Sequence, residues 1–173
     1  MSNSVQLILP AVVVAAAALV VLLVDLFLPE TRKGAAAWVA AAGLVVAMAV
    51  AVGQWLRFEG GVRMYEWAPR AGFGCMVVMD KYALFFVLLF GVAALLAVLL
   101  SDSYLAGHGS ARGEYYALLL MVVAGMIGMA VSTDLIALFI SFELMSLPTY
   151  VLAGWTRRDP RSGEAALKYF ING

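Results

Sequence analysis

The sequence predicts an all-α, polytopic transmembrane helix bundle with five spanning helices and the start of a sixth. Composition is the first ground for this. Of the 173 residues 65% are hydrophobic and only 13% charged, and the mean hydropathy is +0.98. A soluble domain carries about a quarter charged residues, and this chain has too few to cover a water-facing surface. The second ground is length: several uninterrupted apolar stretches reach the roughly 20 residues that a helix needs to cross the hydrocarbon core. The third is a set of short polar connectors rich in Gly, Pro and charge between those stretches.

The first span is Val5–Leu28. No Lys or Arg precedes it, and it is longer than a signal-peptide core, so it is expected to remain as a helix. The turn Pro29–Gly34 leads to the second span, Ala35–Leu56. The longest loop, Arg57–Met79, is broken by Gly60, Gly61, Pro69, Gly72 and Gly74. Its stretch Phe73–Met79 has the composition of a short strand, with Asp80 as N-cap of the third span, Tyr82–Leu100. Ser101–Glu114 is a polar connector, and Tyr115–Val131 forms a shorter fourth span with Tyr115 and Tyr116 at the interface. Only Ser132, Thr133 and Asp134 separate it from the fifth span, Leu135–Gly154, so these two helices are antiparallel neighbours. After the loop Trp155–Gly163, with Ser162 read as an N-cap, a sixth helix starts at Gly163. It reaches Gly173 after about three turns, short of the bilayer thickness. The chain is therefore expected to be the front part of a longer protein. Residues 1–112 would hold three N-terminal helices and the outside loop 57–79, and 113–173 the start of a repeat.

Orientation follows from the basic residues. With the N-terminus outside, the inner connectors hold Arg32, Lys33, Arg112, Arg157, Arg158 and Arg161, and the outer ones Arg57, Arg63, Arg70 and Lys81. A formal net charge of zero gives no reason to expect nucleic acid as a partner. Cys75 and His108 are the only residues of their types, which excludes an internal disulfide, a CxxC redox pair and a full iron–sulfur ligand set, and makes haem or metal ligation improbable. No GxGxxG, P-loop, catalytic triad or zinc spacing is present. The expectation is that this chain holds neither metal nor cofactor.

Glu143 is the first candidate for chemistry. It lies about nine residues into the fifth span, roughly 13 Å from its start and close to the midplane. A carboxylate there costs at least about 2.5 kcal/mol on insertion scales, and intramembrane carboxylates mark ion or proton paths more often than not. Structural glue between helices is the alternative. Pro148 frees the carbonyl of Leu144, and Ser141, Ser146 and Thr149 add hydroxyls within about two turns, a set able to hold water. Lys168 is the second candidate. Glu164 precedes it by four residues, which by itself reads as an ion pair on a helix surface. Asp25, near the end of the first span, is within reach of headgroups, and Gly125 and Gly128 with Ala124 form a small-residue face for close helix packing.

The run Phe142-Glu143-Leu144-Met145-Ser146-Leu147-Pro148-Thr149-Tyr150-Val151-Leu152-Ala153-Gly154 resembles the fifth helix of the antiporter-like membrane subunits of respiratory complex I. Ser162–Phe170, Gly113–Tyr116 and Asp134-Leu135 resemble the subunit N type of the bacterial NADH:quinone oxidoreductase, whereas the M and L types and cation/proton antiporters usually differ over Ser162–Phe170. The resemblance covers essentially the whole chain, although its first three helices are generic. It implies an inverted-repeat fold and a proton path in which Glu143 and Lys168 take part, with a lysine on a later, broken helix as partner of Glu143. It also implies a membrane-arm role in proton translocation coupled to electron transfer from NADH to quinone. NADH, FMN, iron–sulfur clusters and quinone would belong to partner subunits, the other membrane subunits of complex I, in the cell's inner (plasma) membrane. A multi-subunit cation/proton antiporter, a membrane-bound hydrogenase or a structural membrane anchor are the alternatives.

Overall fold

The computed structural model describes residues 2–27, 34–59, 76–108, 112–156 and 159–173. They form six helices: α1 Ser2–Phe27, α2 Ala35–Glu59, α3 Lys81–His108, α4 Arg112–Val131, α5 Leu135–Ala153 and α6 Pro160–Asn172. Five of them are long and apolar enough to cross a membrane, so the chain is a multi-pass membrane protein. The expected turn Pro29–Gly34 up to Lys33 and most of the loop 57–79, with Cys75 and the loop arginines Arg63 and Arg70, lie outside the described residues, as do Arg157 and Arg158.

Small residues set the spacing between helices. In α2 the buried apolar positions are Ala36, Ala37, Ala40, Ala41, Leu44, Ala47 and Ala51, a stripe repeating every three or four residues that Gln54 continues. Alanine on that stripe lets neighbouring backbones approach, which in a bilayer supplies the van der Waals contact that hydrophobic burial cannot. Gly43 opposite Ala17 of α1, and Gly91 of α3 opposite Met48, leave no room for a Cβ. The centre of the bundle is α4, which packs against α1, α3 and α5 and touches α2. Its Tyr116, Leu120, Val123 and Ile127 are almost wholly buried. Large apolar side chains such as Phe27, Leu100 and Leu135 stay on the outside, where acyl chains rather than water receive them.

Three local outcomes differ from the sequence expectation. Helix α3 runs on to His108, two turns beyond Leu100, because Ser101 donates its hydroxyl to the Ala97 carbonyl (2.6 Å) instead of breaking the helix. Of the stretch expected as a strand, residues 73–75 lie outside the described residues, and the described remainder forms a single antiparallel bridge, Val77 with Ser132. Two backbone bonds support it: Val78 N donates to Val131 O (2.8 Å) and Thr133 N to Met76 O (3.0 Å). It ties the start of α3 to the α4–α5 link. Finally, α6 starts earlier than expected. Asp159, not Ser162, is its N-cap, accepting from Arg161 N at 2.9 Å with Pro160 in the first turn. Ser162 sits inside the helix and donates to the Ala153 carbonyl at 3.2 Å, joining α6 to the end of α5. The caps expected elsewhere are present. Asp80 accepts from Ala83 N at 2.7 Å, and Asp134 accepts from Ile136 N and Ala137 N at 2.9 and 3.4 Å.

Candidate functional site

Glu143 is carried by α5, the least buried of the five spanning helices. Among the described residues the substantial helix interfaces of α5 are with α4 and α6. Against α4 it is seated on two glycines: a Cβ at Gly125 would lie 2.5 Å from Met145 N, and one at Gly128 2.6 Å from Ser141 Oγ. Glu143 is two residues from both Ser141 and Met145, hence about 200° around the helix from either. Its half-buried side chain therefore faces away from α4.

Of the polar groups around Glu143 in sequence, Ser146, three residues on, shares its side of the helix, whereas Ser141 and Thr149 do not. Thr149 donates to the Met145 carbonyl at 2.6 Å and Ser146 to the Glu143 carbonyl at 3.4 Å. Ser141 lies against Gly128, and Pro148 is buried, as is Ser146. Hydroxyls that bond back to their own helix around a proline satisfy local carbonyls and keep a polar residue tolerable in the membrane. The water-holding set expected from sequence is thus reduced to Glu143 and the buried Ser146, on a face shared with Phe139, Leu147 and Tyr150.

The same face receives α6 two turns further on. Tyr150 is seven residues from Glu143 and so nearly in line with it. Its ring meets Tyr169 and Phe170 edge-on, with centroids 5.2 and 5.5 Å away. Gly154 faces Ala166, where a Cβ would come within 2.8 Å. Sequence reading did not single out Tyr150. The seven-residue spacing from Glu143 was the available signal. Lys168 lies two residues from both Ala166 and Phe170, so it points away from α5. It pairs with Glu164 at 2.6 Å, and the two side chains are 70% and 63% exposed. An exposed i,i+4 pair of this kind contributes little to stability. The structure pairs Lys168 with Glu164 and not with Glu143.

Asp25, near the end of the first span, lies against the first turn of α4, occupying the space where a Gly113 side chain would be. Its Oδ1 is buried and accepts no hydrogen bond from the described residues. Nearby in the chain, Tyr115 shares a 3.1 Å hydrogen bond with Ser101 and packs edge-on against Trp155 at 5.5 Å, fastening the ends of α3 and α5 to the start of α4. Two apolar grooves flank α5. One of about 570 Å³ lies between α1, α4 and α5, and one of about 410 Å³ lies beside Phe86, Phe90, Met126 and Met145. No three His, Cys, Asp or Glu side chains converge as a metal site among the described residues.

Comparison with known proteins adds a family likeness to this geometry. Residues 132–173 match the family described as NADH:quinone oxidoreductase/Mrp antiporter, TM. NADH-quinone oxidoreductase subunit N of Trichlorobacter lovleyi is 39% identical over 168 residues, which are 97% of this chain and 32% of that protein. Subunit N 1 of Koribacter versatilis is 42% identical over 165 residues, 95% of this chain and 32% of the relative. The chain thus spans about a third of the length of the curated relatives it matches. Among solved structures, respiratory complex I from Thermus thermophilus with bound aureothin contains a chain of similar fold. That likeness has a TM-score of 0.68 at 28% identity and covers 94% of this chain and 32% of the other. The archaeal membrane-bound sulfane sulfur reductase shares the fold with a TM-score of 0.76 at 18% identity, over 98% of this chain and 33% of its own.

Proposed function

We propose that this chain is the N-terminal part of a subunit N-type membrane subunit of a proton-translocating NADH:quinone oxidoreductase, and that Glu143 belongs to its proton path. One observation carries the reading. On the apolar, sparsely packed α5, Glu143 faces the side that α4 leaves open and that α6 covers only in part. A carboxyl maintained there against an insertion cost of at least about 2.5 kcal/mol is kept for what it does. The likeness to subunit N over nearly the whole chain supports the same reading.

In this reading residues 1–112 form the three N-terminal helices, and 113–173 open the antiporter-like repeat. Glu143 pairs across the open side of α5 with a lysine on a further helix of the subunit. Charge displaced along the membrane arm during electron transfer changes that pair's separation, and a charge moved nearby changes how tightly a carboxyl holds its proton. Lys168 forms the next group on the path. The chain's own part is to hold and pass protons. NADH oxidation, flavin and iron–sulfur electron transfer and quinone reduction take place in partner subunits. The N-terminus lies outside and the inner connectors face the cytoplasm, in the plasma membrane.

Proton uptake per NADH oxidised, measured in membrane vesicles from cells carrying the full-length subunit, tests this. Glu143→Gln keeps shape and hydrogen bonding but not the ionisable carboxyl, and is expected to suppress uptake by about tenfold or more. Glu143→Asp should retain part of it. Full uptake per assembled complex in the Gln variant would sink the proposal, and a loss of assembly alone would identify Glu143 as structural glue. Sodium transport without NADH oxidation would point to an antiporter instead.

A further inference from the structure

Glycine is needed at Gly125 for a reason that reaches Glu143. A Cβ built there would lie 2.5 Å from Met145 N, 2.9 Å from Met145 Cα and 2.9 Å from its Cβ. Two of these three atoms are backbone, so no rotamer change relieves the overlap. At Gly128 the obstacle is of another kind: Ser141 Oγ at 2.6 Å and Ser141 Cβ at 3.1 Å, with Cα at 3.9 Å. There a side chain carries the closest contact. Helix α5 is held chiefly by this contact with α4: it adds no fully buried residue to the apolar core, only Leu144 packed against it, and is the least buried span.

We infer that Gly125, assisted by Gly128, is the positioning element for Glu143: direct contact of the α4 and α5 backbones sets the distance and rotation of α5 and so the direction in which its carboxyl points. This deepens the proton-path reading and rests on it. Glu143 stands midway between the two residues that the glycines receive, so a shift or rotation of α5 at this seam is passed to it almost undiminished. Restoring ordinary contact of about 3.5 Å at Gly125 requires α5 to move by roughly 1 Å. A displacement of that size in a group that must align with a partner lowers rates by up to about a hundredfold.

The test uses the vesicle assay above, with the amount of assembled complex measured in parallel on native gels. Gly125→Ala is expected to assemble yet lose proton uptake per NADH by about tenfold or more, and Met145→Ala in the same chain should not restore it, because backbone atoms remain in the way. Gly128→Ala should show a smaller loss, restored by Ser141→Gly, which removes the obstructing side chain. Normal coupling in assembled Gly125→Ala, or its restoration by Met145→Ala, overturns the inference. If Gly125→Ala fails to assemble, the second pair decides. Recovery of coupling in Gly128→Ala/Ser141→Gly upholds the role, and absence of recovery overturns it. Glu143→Gln in the same series separates the two ideas. Uncoupling by Glu143→Gln with normal coupling in Gly125→Ala removes only the positioning role, whereas full coupling in Glu143→Gln removes both.

Discussion

Replacement of Asp134 by Ala probes how α5 is held at its start. Asp134 has extended backbone geometry and accepts hydrogen bonds from Ile136 N at 2.9 Å and Ala137 N at 3.4 Å. Loss of such a cap costs about 1 kcal/mol, within a range of about 0.5–2. The first turn of α5 has little tertiary packing to offset it, since Leu135, Ile136, Phe139 and Ile140 are all largely exposed within this chain. About 1 kcal/mol corresponds to roughly a fivefold rise in the open population of that turn. The backbone bond from Thr133 N to Met76 O lies outside the helix and does not replace the lost acceptor. Amide hydrogen exchange followed by mass spectrometry on the detergent-solubilised complex reads this directly. Peptides covering 134–140 should exchange about fivefold faster in Asp134→Ala, while the 145–153 region stays unchanged. Asp134→Asn, which keeps an acceptor oxygen, should stay close to the native rate. Equal exchange in the native and Ala proteins would refute the assignment of Asp134 as cap. Equal acceleration by Asn and Ala would show that charge, not the hydrogen bond, is what matters.

Two further outcomes follow from the same structure. Because Asp159 caps α6 and Ser162 does not, Asp159→Ala should speed exchange at the start of α6 several-fold, by about 1 kcal/mol, whereas Ser162→Ala should loosen α6 from α5 without fraying its first turn; the reverse pattern in exchange of the 159–165 peptide would contradict the cap assignment. Because the Glu164–Lys168 pair is exposed, Glu164→Gln should change the thermal stability of the complex by no more than about 0.5 kcal/mol, and Lys168→Met should reduce proton uptake less than Glu143→Gln does; unchanged uptake would leave Lys168 with only its surface pair.

Much of the architecture was legible in the residues because a bilayer imposes length and polarity on each segment separately. The spans expected at Ala35–Leu56 and Leu135–Gly154 correspond to α2, Ala35–Glu59, and α5, Leu135–Ala153. The caps Asp80 and Asp134 are local motifs, read from two or three consecutive residues and found in place. The cap of α6 was misplaced because Asp159 and Ser162 are both capping types three residues apart, and sequence alone does not say which one the neighbouring helix claims. The packing of α6 against Ala153 and Gly154 at the end of α5 draws Ser162 inward and leaves Asp159 at the end.

The candidate site divides along the same line. That Glu143 lies mid-span in an apolar helix, and that Gly125, Gly128 and Ala124 offer a face for close packing, are properties of one-dimensional spacing, and the sequence by itself determined them. Only the tertiary structure decided that those glycines receive Met145 and Ser141 of α5. From that contact it follows that Glu143 turns away from α4, in line with Tyr150 and the docking face of α6. Likewise only the tertiary structure brings Asp25 against Gly113 at the start of α4. The physical reason is that hydropathy selects which segments enter the membrane but is nearly indifferent to their rotation once there, since lipid tails and leucines are equally apolar. Rotation is set instead by the few places where backbones touch, and those depend on which helices meet.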